Sequence, residues 1–140
     1  GFSKLIRGKI EVEDIANAAL AGGVCIGSTC STANPGFAMV IGICAGTLST
    51  LGFAIIAPKV CKLIRGTDTC GVHNLHGMPG LLGGLFGIAI TGNVGVQVGA
   101  VVATVVVGLV LGRVCGAILG LFGTKEVPYS DEGDFLLEEE

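Results

Sequence analysis

Tryptophan is absent from the 140 residues, tyrosine occurs once, and only 14% of the residues are charged. Soluble domains carry about 25% charged residues, so this chain has too few charges to cover a surface that faces water. With 51% hydrophobic residues and a mean hydropathy of +0.81, the composition predicts a protein surrounded by lipid. The net charge of −3 gives no reason to expect a nucleic-acid partner.

Charged residues are also missing from two long intervals, 15–58 and 69–112. As a helix, each interval would be about 66 Å long, over twice the roughly 30 Å hydrocarbon core of a bilayer. Turn signals near the two midpoints, NPG at 34–36 and TGN at 91–93, predict that each interval folds back once. We therefore expect a loop at 1–11, four transmembrane helices within 12–122 (about 12–30, 36–57, 69–90 and 95–122) and an acidic tail at 123–140.

The basic residues predict the orientation of these helices in the membrane. They precede the first span and lie between the second and third, whereas the loops after the first and third spans contain none. Because cytoplasmic loops carry an excess of Lys and Arg, both chain ends and the loop around Lys62 are expected in the cytoplasm.

The six cysteines include no CxxC pair, and four of them fall within predicted spans. We interpret them as reduced thiols used as small apolar side chains, with no metal site and no cofactor. The first residues, GFSKLIRGK, read like the middle of a longer protein, so we expect the chain to be a fragment.

Glycines recur at four-residue spacing in the last span. Residues four apart share one helix face, and in lipid a face of small residues allows a second helix to approach closely. We therefore predict helix packing along this stripe, and similar packing through the glycines at 42 and 46 and at 80–87. The residues of the stripe are Gly108, Gly112, Gly116 and Gly120.

Two histidines and an aspartate lie in the stretch TDTCGVHNLHGMPG (67–80), at the start of the third span. Asp68 is predicted to be a helix cap or a support for a pore, and the residues alone leave both roles open. His76 would lie about 10 Å along a helix beginning at residue 69. An ionisable residue at that depth indicates function, although a histidine bonded to a neighbouring helix also fits. Metal binding by His73 and His76 is disfavoured because no third ligand lies nearby.

Three segments resemble the Rh glycoproteins, the Rhesus branch of the ammonium transporter family. DTCGVHNLHGMPG (68–80) with the following LLGGLFG resembles the family's signature helix. GKIEVEDIANAALAGGV (8–24) and PGFAMVIGICAGTLSTLGF (35–53) resemble two preceding helices, although Asp14 stands where the family often has histidine. In order along the chain, the resemblance covers about residues 8–122.

The resemblance implies an all-α polytopic membrane protein, with this chain as the last four helices of an eleven- or twelve-helix ammonium transporter fold. It implies a homo- or heterotrimer in the plasma membrane that transports ammonia or ammonium through a histidine-lined hydrophobic pore, and it implies no enzyme activity. His76 matches one of the two pore histidines, and His73 and Asn74 are further pore-lining candidates. The second histidine belongs to a helix outside this chain, so the fragment alone is not expected to conduct.

The acidic tail contains a candidate sorting motif. Glu132, Leu136 and Leu137 fit the acidic dileucine pattern that trafficking adaptors bind. A solvated tail without a binding partner is the alternative.

A second function class stays open at this point. Some Rh relatives are described as non-transporting, so a structural or interaction protein on the same scaffold is the alternative to a transporter. The histidine of the NLHG motif favours transport, because a scaffold has no need of an imidazole inside the membrane.

The predicted orientation can be tested by cysteine labelling. In a cysteine-free full-length background, Lys62→Cys should react with a membrane-impermeant maleimide only after the cells are permeabilised. A cysteine at position 93 should react in intact cells. Labelling at position 62 from outside would show that the orientation is reversed.

Overall fold

A computed structural model describes residues 1–68 and 70–123 of the chain. These residues form helices and no β-strand, and the chain divides into two compact units, residues 1–103 and the part from residue 104 onward. The α-helices are α1 (Phe2–Arg7), α2 (Val12–Ile26), α3 (Pro35–Leu51), α4 (Ala57–Ile64), α5 (Met78–Thr91) and α6 (Val94–Gly120), and the π-helical segments are π1 (Gly52–Ile56) and π2 (His73–Gly77).

The turns predicted within the two charge-free intervals are present. At the first, the Asn34 side chain accepts a hydrogen bond of 2.9 Å from the Phe37 N–H, and Pro35 begins α3. Asparagine at the cap and proline at the first helical position are both favourable at a helix start. At the second, Gly92 ends α5 with a φ of 66°, a left-handed conformation that suits glycine.

A continuous helix of 30 residues runs from Pro35 to Ile64 and comprises α3, π1 and α4. It continues beyond residue 57, where the predicted second span ends, and it includes Pro58. Proline in a helix interior has no N–H to donate and its ring crowds the carbonyl of the preceding turn. The wider π1 turn directly before it accommodates both effects.

Helix α2 packs against α3 through small residues. A Cβ built on Gly22 would lie 3.6 Å from the Gly42 Cα, and one built on Gly46 would lie 3.3 Å from the Ala18 Cβ. Because these side chains are so small, the two backbones approach closely along a face with four-residue spacing. This is the contact that the Gly42-xxx-Gly46 pattern predicts.

The glycines of α5 form contacts on two sides. A Cβ on Gly83 would collide with the carbonyl oxygen of Cys25 in α2 and lie 2.9 Å from its carbon. The Ser28 hydroxyl also donates a hydrogen bond of 3.0 Å to the Gly83 carbonyl oxygen. On the other side, a Cβ on Gly84 would lie 2.6 Å from the Val101 Cγ2. The first part of α6 therefore packs against α5.

The most buried apolar cluster lies where α2, α3 and α5 meet. Its fully buried members are Cys25, Ile41 and Ala45. At its edge the Phe37 and Phe86 rings stand edge to face, with centroids 5.8 Å apart. Such aromatic pairs add to the stabilisation that burial provides.

Two helices in the described part of the chain are long and apolar enough to cross a bilayer, Pro35–Ile64 and Val94–Gly120. Helix α6 has 27 residues, which corresponds to about 40 Å at 1.5 Å per residue. A Cβ added at any glycine of its stripe would meet no described atom within 4 Å. The stripe therefore stays a predicted packing face.

Close packing at Gly83 can be tested by adding one methyl group. Gly83→Ala in the full-length protein should lower the thermal unfolding midpoint, because overpacking against backbone that cannot move costs about 1–3 kcal/mol. Gly23→Ala is the matched control, since no described atom lies within 4 Å of its Cβ position. Equal midpoints for the two variants in detergent would contradict the packing described above.

Candidate functional site

The helix that bears both histidines begins at Val72 and is capped by Asp68. One carboxylate oxygen, Oδ1, accepts a hydrogen bond of 2.8 Å from the Val72 N–H, and the other, Oδ2, accepts one of 3.0 Å from the His73 N–H. The first N–H groups of a helix have no partner within the helix, so the carboxylate satisfies two of them. Negative charge is also favourable at this end of the helix dipole.

The chain turns into this helix at Gly71, which has a φ of 63°. The Phe53 ring of π1 lies against it, and a Cβ at Gly71 would overlap that ring. Glycine is therefore required here for both its conformation and its size. Because the helix begins after this turn, His76 lies about 6 Å along the helix axis, one turn from its start, rather than the 10 Å expected for a start at residue 69.

The histidines lie in a widened turn. In π2 the Met78 N–H donates to the His73 carbonyl oxygen, five residues back, instead of four as in an α-helix. Pro79 follows directly, and its ring and missing N–H disfavour a regular α-turn before it. The sequence signal for this feature, a proline inside an apolar helical segment, recurs at Pro58 after π1.

The two faces of π2 differ in exposure. Asn74 and Leu75 are buried, His73 is half-buried, and His76 and Gly77 are exposed in the described chain. The His73 ring Nδ1 lies 3.3 Å from Asn74 Oδ1, within hydrogen-bond distance. The sequence predicts all three polar residues as pore-lining, and the structure places the Asn74 side chain inward and His76 outward.

The groups available at π2 are therefore an exposed imidazole, a half-buried imidazole bonded to a carboxamide, and a capping carboxylate. Imidazole donates or accepts a hydrogen bond according to which ring nitrogen carries the proton. Within residues 1–68 and 70–123, no three His, Cys, Asp or Glu side chains form a group that could hold a metal ion. Hydrogen bonding to a small polar solute is the chemistry that His76 offers.

A second polar feature, which the sequence analysis missed, is an ion pair at the first turn of α2. Asp14 is only 3% exposed, and its Oδ2 lies 3.3 Å from the Arg7 Nε. Asp14 lines a surface pocket of about 370 Å³, which Thr47 and Thr50 also line. The seven-residue separation of Arg7 and Asp14 across the α1–α2 turn could have indicated this ion pair. The pocket contains neither histidine.

The remaining site predictions concern the tail. Glu132, Leu136 and Leu137 lie outside the described residues, so the candidate sorting motif stays a prediction.

Apolar helices packed through glycine, with no strand in the described residues, define an all-α polytopic membrane protein. The chain matches the model of the ammonium transporter family over residues 1–132. It therefore belongs to this family, whose members are integral membrane proteins.

Two similar proteins are Rh-type ammonium transporters. The chain is 51% identical over 84 residues to the ammonium transporter Rh type A of Bos taurus and 46% identical over 94 residues to the Rh type B transporter of Danio rerio. These alignments cover 59% and 65% of this chain and 20% of each relative. The chain thus spans about a fifth of the length of these curated relatives.

A solved structure has the same fold. The Rh50 protein of Nitrosomonas europaea, of the Rhesus protein family of channels, matches with a TM-score of 0.85 and 44% sequence identity. The match covers 96% of this chain and 36% of that protein. The helical arrangement described above is therefore part of the Rh50 fold.

The two predicted roles of Asp68 can be separated by substitution. Asp68→Asn keeps one of the two capping oxygens and loses the other hydrogen bond and the charge. It should therefore lower the stability of the full-length protein, but by less than Asp68→Ala, which removes both oxygens and should cost about 1 kcal/mol. Thermal unfolding in detergent measures both. If Asp68→Asn lowers ammonia flux while its unfolding midpoint stays at the wild-type value, the carboxylate charge serves transport and capping is not its only role.

Proposed function

We propose that the intact protein containing this chain conducts ammonia or ammonium across a membrane, with His76 in the conduction path. The observation that carries the proposal is the placement of His76. It stands exposed on a widened turn of a helix whose other face is packed into the bundle. This segment belongs to an apolar chain of the ammonium transporter family.

An exposed imidazole in an apolar helix segment suits this substrate. An ammonium ion loses much of its hydration in a narrow dry pore, and an isolated charge there is very costly. If the ion releases its proton to water before entering, ammonia can cross as a neutral molecule. It then needs sites that form hydrogen bonds without presenting a fixed charge, and a neutral imidazole provides such a site. Pore width and these lining groups determine selectivity.

The conduction path needs more of the protein than this chain. His76 and Gly77 are exposed among the described residues. The opposite wall, with a second histidine, would come from an upstream helix. The relatives are about five times longer than the region they share with this chain, which leaves room for such helices. We propose that the fragment alone does not conduct.

The same proposal includes the arrangement in the membrane. The four helical segments would cross a bilayer of the plasma membrane with both chain ends in the cytoplasm, as the positions of the basic residues favour. The intact protein would form a homo- or heterotrimer. The glycine stripe of α6 would then pack against a helix of the intact assembly, since in lipid small residues drive helix association by close contact. We also propose that a trafficking adaptor binds the acidic tail.

Substitution of the two histidines tests the proposal. In the full-length protein, His76→Ala should lower methylammonium uptake roughly tenfold, because a desolvated polar solute loses a hydrogen-bonding partner. His73→Ala should have a smaller effect, since its ring is half-buried against Asn74. Uptake is measured in transporter-deficient yeast, with surface expression matched by biotinylation.

Two results would contradict the proposal in different ways. Uptake that His73→Ala abolishes and His76→Ala leaves intact would show that the wrong histidine has been assigned. If the wild-type full-length protein reaches the surface and gives no uptake above the empty-vector control, the non-transporting alternative is correct.

A further inference from the structure

Asn74 lies directly behind the histidine face and is completely buried, with 0% of its surface exposed. Its carboxamide sits between the His73 ring and the backbone of the neighbouring helix. Oδ1 is 3.3 Å from His73 Nδ1. A Cβ built on Gly52 would lie 2.6 Å from that same oxygen and 3.1 Å from the Asn74 Cγ. The side chain therefore occupies a seat that exists only because residue 52 is glycine.

The stability of the bundle does not explain an asparagine at this position. The Asn74 Nδ2 has no hydrogen-bond partner among the described residues, and a buried donor without a partner is destabilising. A leucine has a similar branched shape and would pack in an apolar seat without that penalty. The carboxamide is thus accounted for by the one polar contact it makes, with the imidazole of His73.

In the widened turn, that contact can determine the direction of the histidine side chains. Regular α-helical hydrogen bonds set the direction of each side chain, but the ladder is interrupted at π2, where the bond from the Met78 N–H spans five residues. One extra residue in a turn rotates the residues that follow by about 100°. The direction of the histidines therefore depends on side-chain contacts that hold the turn.

We infer that Asn74 is the positioning residue of the histidine face. Its carboxamide, seated against Gly52, holds the His73 ring and sets the rotation of π2, and this rotation directs His76 into the conduction path. The inference rests on the proposed function, and it assigns Asn74 a role behind the pore wall. Gly52 contributes by leaving room for the carboxamide between the two helices.

The first test replaces the carboxamide by an apolar group of similar shape. In the full-length protein, Asn74→Leu should lower ammonia flux in proteoliposomes roughly tenfold, comparable to the loss expected when one hydrogen-bonding group is misplaced. It should also change the rate at which diethyl pyrocarbonate modifies His76 severalfold, measured by mass spectrometry on the assembled fraction. A purely structural role would reduce the amount of assembled protein without changing the reactivity of His76 within it.

The second test keeps the carboxamide and crowds the space it occupies, which the end of the Met78 side chain also borders. Gly52→Ala places a methyl group against Asn74 Oδ1 and the Met78 Cε, and it should change flux and His76 modification in the same direction as Asn74→Leu. Gly42→Ala is the matched control on the same continuous helix. The Gly42 Cα packs against Gly22, but a Cβ on Gly42 would point into open space, with no described atom within 4 Å. If Asn74→Leu fails to assemble, the comparison of Gly52→Ala with Gly42→Ala still decides whether Asn74 positions His76.

The outcomes separate this inference from the proposed function. If His76→Ala lowers flux but Gly52→Ala behaves like Gly42→Ala in both flux and His76 modification, the positioning role is wrong and the proposed function stands. If the wild-type protein does not conduct, the proposed function fails. The modification rate of His76 then still decides whether Asn74 sets its direction, because that measurement does not depend on transport.

Discussion

The backbone contact between α2 and its two neighbours determines the arrangement of the other helices. At one crossing Gly22 meets Gly42, and at the other Gly83 meets the carbonyl of Cys25. In water, the burial of large apolar side chains drives helices together. Lipid is as apolar as those side chains, so in a membrane the hydrophobic driving force is absent. Close packing between helix backbones stabilises the bundle instead. It requires residues with little or no side chain at particular positions, which accounts for the glycines at 22, 46 and 83.

This packing leaves few positions for polar groups, and the structure satisfies or exposes most of them. Asp68 uses both carboxylate oxygens on helix N–H groups, and Asp14 is paired with Arg7. His76 is different because it is exposed on an apolar helix with no partner provided by the described residues around it. If the exposed side of π2 faces a pore in the intact protein, as we propose, the imidazole finds its partners in the conducted solute and in a helix that this chain does not contain.

Two prolines produce the irregular turns at the centre of the bundle. Pro58 and Pro79 each follow a π-helical segment, and the two segments contribute Gly52 and Asn74 to one contact. A widened turn weakens the local control of side-chain direction, so a tertiary contact has more influence there than in a regular helix. The proposed positioning role of Asn74 follows from this combination of a local irregularity and a close neighbour.

Much of the helical organisation follows from sequence patterns alone. The two charge-free intervals and the NPG and TGN signals predict where helices lie and where the chain turns, because charge is costly in lipid and because these turn residues suit helix ends. Glycine spacing predicts the close contact at Gly42 and Gly46, and the NLHG motif with its flanking segments indicates the family.

Only the tertiary structure decided how the site is arranged. Helical periodicity shows which residues share a face, but it does not show which face finds a neighbour, so the burial of Asn74 and the exposure of His76 could not be predicted. The start of the helix at Val72 depends on the Gly71 turn and on the Phe53 ring that packs against it, a contact between segments distant in sequence. The extra residue in π2 shifts every later position, and it becomes visible only when the hydrogen bond from Met78 to His73 is located.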